Sequence, residues 1–312
     1  MEKNSKIYVA GHTGLVGSAI VRRLRKVGYN NLILKTKKEL DLLDQKKTEA
    51  FFKKEKPEYV FLAAARVGGI IANKTHKADF IFENLQIQNN VIYNSWKYGV
   101  KKLLFLGVSC IYPKTCSQPI KEEYLMTGLL EETSDAYSIA KIAGIKMCQS
   151  FNEQYRTNFI SVMPTNLYGP GCNFHPENSH VLSAMIRKFS DAKKKKEKSV
   201  VFWGTGSPRR EFLYSDDLAD ALLFLMKKYN SSEIINIGIG KDISIKELSQ
   251  KIKKAVGYEG RVEWDRTKPD GSMRKLLNTN KLNRLGWKYK TDLDRGLIKT
   301  INWFNDNYGT RK

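Results

Sequence analysis

The chain has 312 residues, 41% hydrophobic and 11% aromatic, which is enough to bury a full α/β core and too apolar for a disordered polymer. No apolar run approaches the roughly 20 residues that span a bilayer, and the first six residues enter a strand-like segment without a secretory core, so a cytoplasmic protein with no membrane partner is expected. The net charge of +22 admits nucleic acid, but the Lys193–Lys196 run has no interleaved aromatics or nucleic-acid-binding spacing, and a solvated basic surface with no nucleic-acid partner is expected.

In chain order, residues 6–10 read as a strand, 15–27 as a helix and 31–35 as a strand. Residues 45–54 read as a helix, 59–65 as a buried strand and 79–98 as a long helix. A strand at 102–107, a helix at 136–155 and a strand at 159–164 complete the first half. Strands alternating with helices predict parallel units joined by right-handed crossovers. Beyond Pro164 the pattern loosens into a Gly169-Pro170-Gly171 turn, a helix at 180–192, a strand at 200–203, a Gly/Pro-rich loop at 204–208 and an aromatic-bearing helix at 293–308. The expected fold is α/β, a Rossmann-type doubly wound parallel sheet with a smaller α/β C-terminal substrate domain. The sheet domain is assigned to 1–165 with 211–238 returning to it, and the substrate domain to 166–210 and 239–312.

The first strand runs into Gly11, His12, Thr13, Gly14, Leu15, Val16 and Gly17, and a helix begins there. Glycines at 11, 14 and 17 serve a tight turn, close approach of backbone N–H groups to a pyrophosphate, and helix–strand packing. A phosphate loop of the Gly-Lys-Ser/Thr kind is excluded, since no such residues follow. NAD sites place a carboxylate at the end of the next strand, whereas this chain has Lys35 and Lys37 there, which favours NADP(H). Asp41 and Leu42 follow at a distance suited to the adenine.

Tyr137 and Lys141 are four residues apart in a helical pattern and share a face. A phenol titrates near ~10, and a neighbouring ammonium together with the positive charge of oxidised nicotinamide is expected to lower it into a useful range. Cys110, Cys116, Cys148 and Cys172 are expected to be reduced thiols.

The glycine loop, the Tyr137/Lys141 pair and the segment before Tyr112-Pro113 resemble extended short-chain dehydrogenases/reductases. Longer stretches sharpen the resemblance to the GDP-L-fucose synthase family: 64–70 (Ala64 to Ile70), 109–114 (Ser109 to Lys114), 137–144, 164–170 (Pro164 to Pro170), 173–176 (Asn173 to Pro176) and 268–271 (Lys268 to Gly271). The similarity covers nearly the whole chain.

The resemblance implies an NADPH-dependent enzyme that epimerises C3 and C5 of a GDP-4-keto-6-deoxy sugar and reduces C4, working as a homodimer through its two long helices. It implies Cys110 as base, His180 as acid, and Tyr137 as proton donor to the C4 oxygen, with Lys141 on the nicotinamide ribose. Ala64, Leu106, Gly107, Val108, Pro164, Thr165, Asn166, Leu167 and His180 would line the cofactor, and Lys188, Trp203, Arg210 and Asp270 the GDP-sugar. No metal is implied. Lysine-rich surroundings are expected to lower the Cys110 pKa. Family members usually carry Ser or Thr at position 108 to hold the 4-keto oxygen, and Val108 cannot donate. Ser109 would substitute only if the strand end were shifted, because strand alternation points it away. The alternative implied by Val108 is a C4 reductase without epimerisation, or an enzyme for a related GDP-4-keto-6-deoxy-heptose.

Overall fold

The computed structural model describes residues 1–175, 179–268 and 270–308. Pro176 and Pro269, which belong to family-like segments, and residues 309–312 lie outside the described residues.

The centre is a six-stranded sheet. Its strands, in spatial order, are Ile235–Ile237, Phe159–Pro164, Lys102–Leu106, Tyr59–Leu62, Ile7–Ala10 and Leu32–Ile33. Every neighbouring pair is parallel, as the alternation of strands and helices predicts. The Leu32–Ile33 strand is shorter than the run expected for it, because the chain turns at Thr36, whose N–H and hydroxyl both bond Glu39.

Both sheet faces are buried, so the strands read as continuous apolar runs. Successive side chains still alternate between two cores. Ile7, Val9, Phe61, Leu104 and Ile160 pack with the helices Leu15–Lys26 and Ser215–Lys228 on one face. Tyr8, Val60, Leu62, Leu103 and Phe105 pack with Gln45–Glu55, Lys77–Lys97 and Asp135–Tyr155 on the other. A third core, built around Phe174, Phe189, Phe202 and Phe304, joins the helices Val181–Lys195, Ile245–Val256 and Leu293–Tyr308 to the strand Ser199–Trp203. The 193–196 lysines end the Val181–Lys195 helix, where cations complement the helix dipole, and Lys193 donates to the Val256 carbonyl. The four cysteines are free, and no helix among the described residues is long and apolar enough to cross a membrane.

Glu211 knots these parts together. Its fully buried carboxylate accepts the N–H groups of Ile239 at 2.5 Å, Gly240 at 2.7 Å and Leu277 at 3.1 Å. Its own carbonyl accepts from Thr165 Oγ1 and Asn166 Nδ2. Burial raises the Glu211 pKa, while the backbone donors oppose that.

At the first turn of the sheet, Gly11 has φ +80°, and a Cβ there would stand 2.7 Å from the Ala64 nitrogen. A Cβ on Gly17 would stand 2.0 Å from the Gly11 carbonyl oxygen and 2.7 Å from the His12 Cα, both backbone. We therefore expect Gly17→Ala to cost about 1–3 kcal/mol of stability, read by denaturant unfolding, together with loss of dinucleotide affinity.

Candidate active site

Gly14 differs from the other loop glycines. A Cβ there would meet nothing of the protein closer than 3.5 Å, so its glycine is explained by what approaches from outside. Gly14 is also the N-cap of the Leu15–Lys26 helix and supplies no side chain to cap it. The exposed helix start offers N–H groups and positive dipole to an anion. Beside it, the buried Nδ1 of His12 has no hydrogen-bond partner in the protein. An open glycine, an uncapped helix and an orphaned imidazole nitrogen together fit a dinucleotide pyrophosphate.

Directly past the second strand, residues 34–38 include no carboxylate, and the nearest, Glu39, folds back on Thr36. Lys35 is half-buried and Lys37 exposed, and Lys35 Nζ lies 3.9 Å from Glu39, whose carboxylate is turned onto Thr36. Asp41 accepts the Leu43 N–H at 3.1 Å, and Leu42 is buried in the core. Asp41 keeps its second carboxylate oxygen free of that bond, and Leu42 adds its side chain to the second core.

The Asp135–Tyr155 helix carries the chemistry-bearing pair against the end of the Lys102–Leu106 strand. Lys141 is 4% exposed, donates to the Leu106 carbonyl at 2.8 Å, and sits 5.8 Å from the Tyr137 ring centroid. Desolvation lowers its pKa from 10.5 to about 8. Tyr137 is packed edge-on against Phe80 at 6.0 Å between centroids. Burial raises its pKa, and a negative charge on Cys110 would raise it further. The protein alone does not lower the phenol: desolvation raises it, and Tyr137 rests protonated until the nicotinamide charge that the expectation also invoked is in place.

Desolvation also corrects the Cys110 expectation. Burial pushes its thiol up, opposed by Lys275, the Ser138 hydroxyl and Lys141. His180 is the N-cap residue of the Val181–Lys195 helix, but its side chain makes no capping bond. It is an exposed residue, yet enough protein surrounds the imidazole to hold its pKa below the ordinary value by desolvation. A neutral imidazole is its resting form, so an acid role requires a negative charge to arrive nearby.

Strand geometry ends at Leu106. Gly107 follows, where a Cβ would stand 2.5 Å from Met163 Sδ, and Val108 is extended with φ −159°. Residues 109–111 then form a single 3₁₀ turn. Strand alternation therefore does not govern Ser109, which is buried on this turn.

A second cluster gathers the remaining expected residues. Trp203 is 62% exposed at the end of its strand. Next to it, Thr205 bonds Asp270 through N–H at 2.9 Å and hydroxyl at 2.6 Å, occupying one lone pair on each carboxylate oxygen. Arg210 donates to the Arg209 carbonyl at 2.8 Å, and the charge of Asp270 partly offsets the burial that lowers its pKa. Lys188 donates to the Val201 carbonyl at 2.5 Å and lies over the Phe202 ring. Pro164 ends its strand, Thr165 and Asn166 are fixed by Glu211, and Leu167 packs on the first core. Ser138, Lys275 and Glu211 were not singled out by the sequence. Each matters through a neighbour more than 25 residues away, which no local pattern encodes.

A parallel doubly wound sheet, a glycine turn open to a pyrophosphate, and a buried Tyr/Lys helix define an enzyme of the extended short-chain dehydrogenase/reductase kind. Residues 7–238 match the NAD dependent epimerase/dehydratase family. GDP-L-fucose synthase 1 of Arabidopsis thaliana is 57% identical over 310 residues, covering 99% of this chain and 96% of that one. The GDP-L-fucose synthase of Escherichia coli (strain K12) is 49% identical, with 97% of each chain covered. A solved structure, the GDP-mannoheptose C4 reductase from Campylobacter jejuni with NADP bound, is 45% identical with a TM-score of 0.91, covering 98% of this chain and 99% of that one. The chain belongs to the GDP-L-fucose synthase family.

The Lys141 shift has a testable sign. Its folded pKa of about 8 lies below 10.5, so burying the charge costs stability fully below pH 8, and the cost fades as pH rises towards 10.5. We expect the unfolding free energy of Lys141→Met, minus that of the parent, to be largest below pH 8 and to shrink between these limits, measured by urea unfolding across pH.

Proposed function

We propose that this chain epimerises C3 and C5 of a GDP-4-keto-6-deoxy sugar and reduces C4 with NADPH. The observation that carries the reading is the convergence of Tyr137, Lys141 and Cys110 at one strand end. The full-length likeness to GDP-L-fucose synthases supports it.

The glycine loop at 11–17 would hold the pyrophosphate, Lys35 and Lys37 the 2′-phosphate, and Asp41 the adenine side. Ala64, Leu106, Gly107, Val108, and Pro164 to Leu167 would line the cofactor channel. Bound there, NADPH supplies the hydride for C4. Tyr137, held protonated by burial, donates its proton to the C4 oxygen, and Lys141 holds the nicotinamide ribose. Loss of that phenolic proton is eased by the nearby ammonium.

A 4-keto group acidifies the C–H bonds at C3 and C5. Cys110 takes these protons as thiolate, and His180 returns protons to the opposite face. The diphosphate of GDP, engaged by Arg210, brings the negative charge that favours the imidazolium form of His180. Lys188, Trp203 and Asp270 complete the GDP-sugar side. Asp270 acts there through the oxygen lone pairs that Thr205 leaves free.

A second reading, C4 reduction alone, including on a GDP-heptose, is favoured by Val108 and by the likeness to a GDP-mannoheptose C4 reductase. We also propose the division into a sheet domain of 1–165 with 211–238 and a substrate domain of 166–210 and 239–312. We further propose a cytoplasmic homodimer, paired through the helices Lys77–Lys97 and Asp135–Tyr155. Their outer faces expose Phe82, Tyr93, Ile139 and Tyr155 to solvent, an apolar set suited to a second copy.

Solvent deuterium decides the chemistry. Product formed in D₂O carries deuterium at C3 and C5 if the chain epimerises, and its absence from both leaves the reductase alone. Tyr137→Phe is expected to slow NADPH oxidation by about 10²–10⁴-fold while leaving deuterium exchange in place. Phe82→Glu should move the protein to monomer in sedimentation.

A further inference from the structure

Cys110 is gripped by a residue that has no role in the reading above. Ser138, one position after Tyr137, is fully buried where the Asp135–Tyr155 helix passes the 109–111 turn. Its hydroxyl lies 3.0 Å from the Cys110 carbonyl oxygen and 3.2 Å from Cys110 Sγ.

One hydroxyl carries one proton and can donate it to only one of these acceptors at a time. With a neutral thiol at 110, the proton goes to the carbonyl and the Ser138 oxygen is free to accept the weak S–H donor. With a thiolate, the hydroxyl turns its proton onto the sulfur. The change is a rotation of one O–H bond, with no heavy atom displaced. A bond to an ionised acceptor is roughly twice as strong as a neutral one, so the contact favours the thiolate.

The charged and titratable groups acting on Cys110 come from two elements. Lys141 and Tyr137 lie on the helix of Ser138, and Lys275 lies on the strand Arg274–Lys275. Lys275 is the largest single group opposing the burial of Cys110, and its side chain has no hydrogen-bond or ion-pair partner among the described residues. Its strand neighbour in register is Arg210. Both lysines act on the sulfur through space, whereas Ser138 touches it.

We propose that Ser138 is a positioning residue for Cys110, fixing the sulfur of the epimerising base and following its change of charge with a single hydroxyl proton. This rests on the epimerising reading given above. When Sγ takes the proton from C3 or C5, the C–H electron pair passes into the enolate and the thiolate becomes a thiol. The Ser138 proton then swings from sulfur to the Cys110 carbonyl, and the reverse swing accompanies regeneration of the base.

The test is Ser138→Ala, which removes the hydroxyl and nothing else. Deuterium wash-in at C3 and C5 is expected to slow about 10- to 100-fold, the range for one hydrogen bond to a charged group. Single-turnover NADPH oxidation, with a substrate already in product configuration at C3 and C5, should change less than about threefold, which also certifies the fold. The thiolate absorbance of Cys110, taken as the difference from Cys110→Ser, should appear at higher pH in Ser138→Ala. Equal losses in both half-reactions, or an unmoved thiolate titration, overturn the proposal. If Cys110→Ser leaves wash-in intact, the base assignment itself fails, and the titration alone then decides whether Ser138 governs the sulfur.

Discussion

The site depends on how closely one helix lies against one strand. At Gly144 a Cβ would stand 2.4 Å from the Phe105 ring and 2.8 Å from Gln88 Oε1, so only glycine lets the Asp135–Tyr155 helix approach the sheet this far. Gln88 Nε2 then donates to the Ala140 carbonyl at 2.6 Å, in the middle of that helix. The same approach brings Lys141 within reach of the Leu106 carbonyl and Ser138 within reach of Cys110. A larger residue at 144 would lever the helix outward and part all of these contacts together.

Burial then sets the protonation of every chemical group. It raises Tyr137 and Cys110 and lowers Lys141 and His180, in each case favouring the neutral form. At the strand end, Tyr137 and Cys110 are therefore held in their protonated, uncharged forms beside Lys141. In the function proposed above, an arriving diphosphate would favour the imidazolium of His180, while only cations such as Lys275 and Lys141 can favour a thiolate at Cys110.

The sheet was largely legible in the sequence. Glycine at 11 and 17 is demanded by backbone contacts that any strand–turn–helix of this kind creates, and the 159–164 strand and 293–308 helix stand where apolar patterning puts them. The short helix Ile70–Thr75 escaped the pattern because it is a single turn and a half without a long apolar face. In the site, spacing brought out Tyr137 and Lys141 and the family resemblance brought out Cys110, but the electrostatics of the tyrosine and the cysteine were misjudged. The sequence displays lysines openly, while desolvation belongs to the fold. The strand-alternation argument about Ser109 failed for a local reason: the strand stops at Leu106 and a 3₁₀ turn takes over.

Glu211 lends the molecule a fixed point. Its carboxylate binds backbone at 239–240 and 277, while its own main chain holds Thr165 and Asn166. Pulling any of these segments away would strand a buried carboxylate or its donors, at a cost of several kcal/mol. The 164–166 edge, the 239–240 turn and the 277 position are thus tied to one another through a single side chain, so that Glu211→Gln would loosen three segments at once.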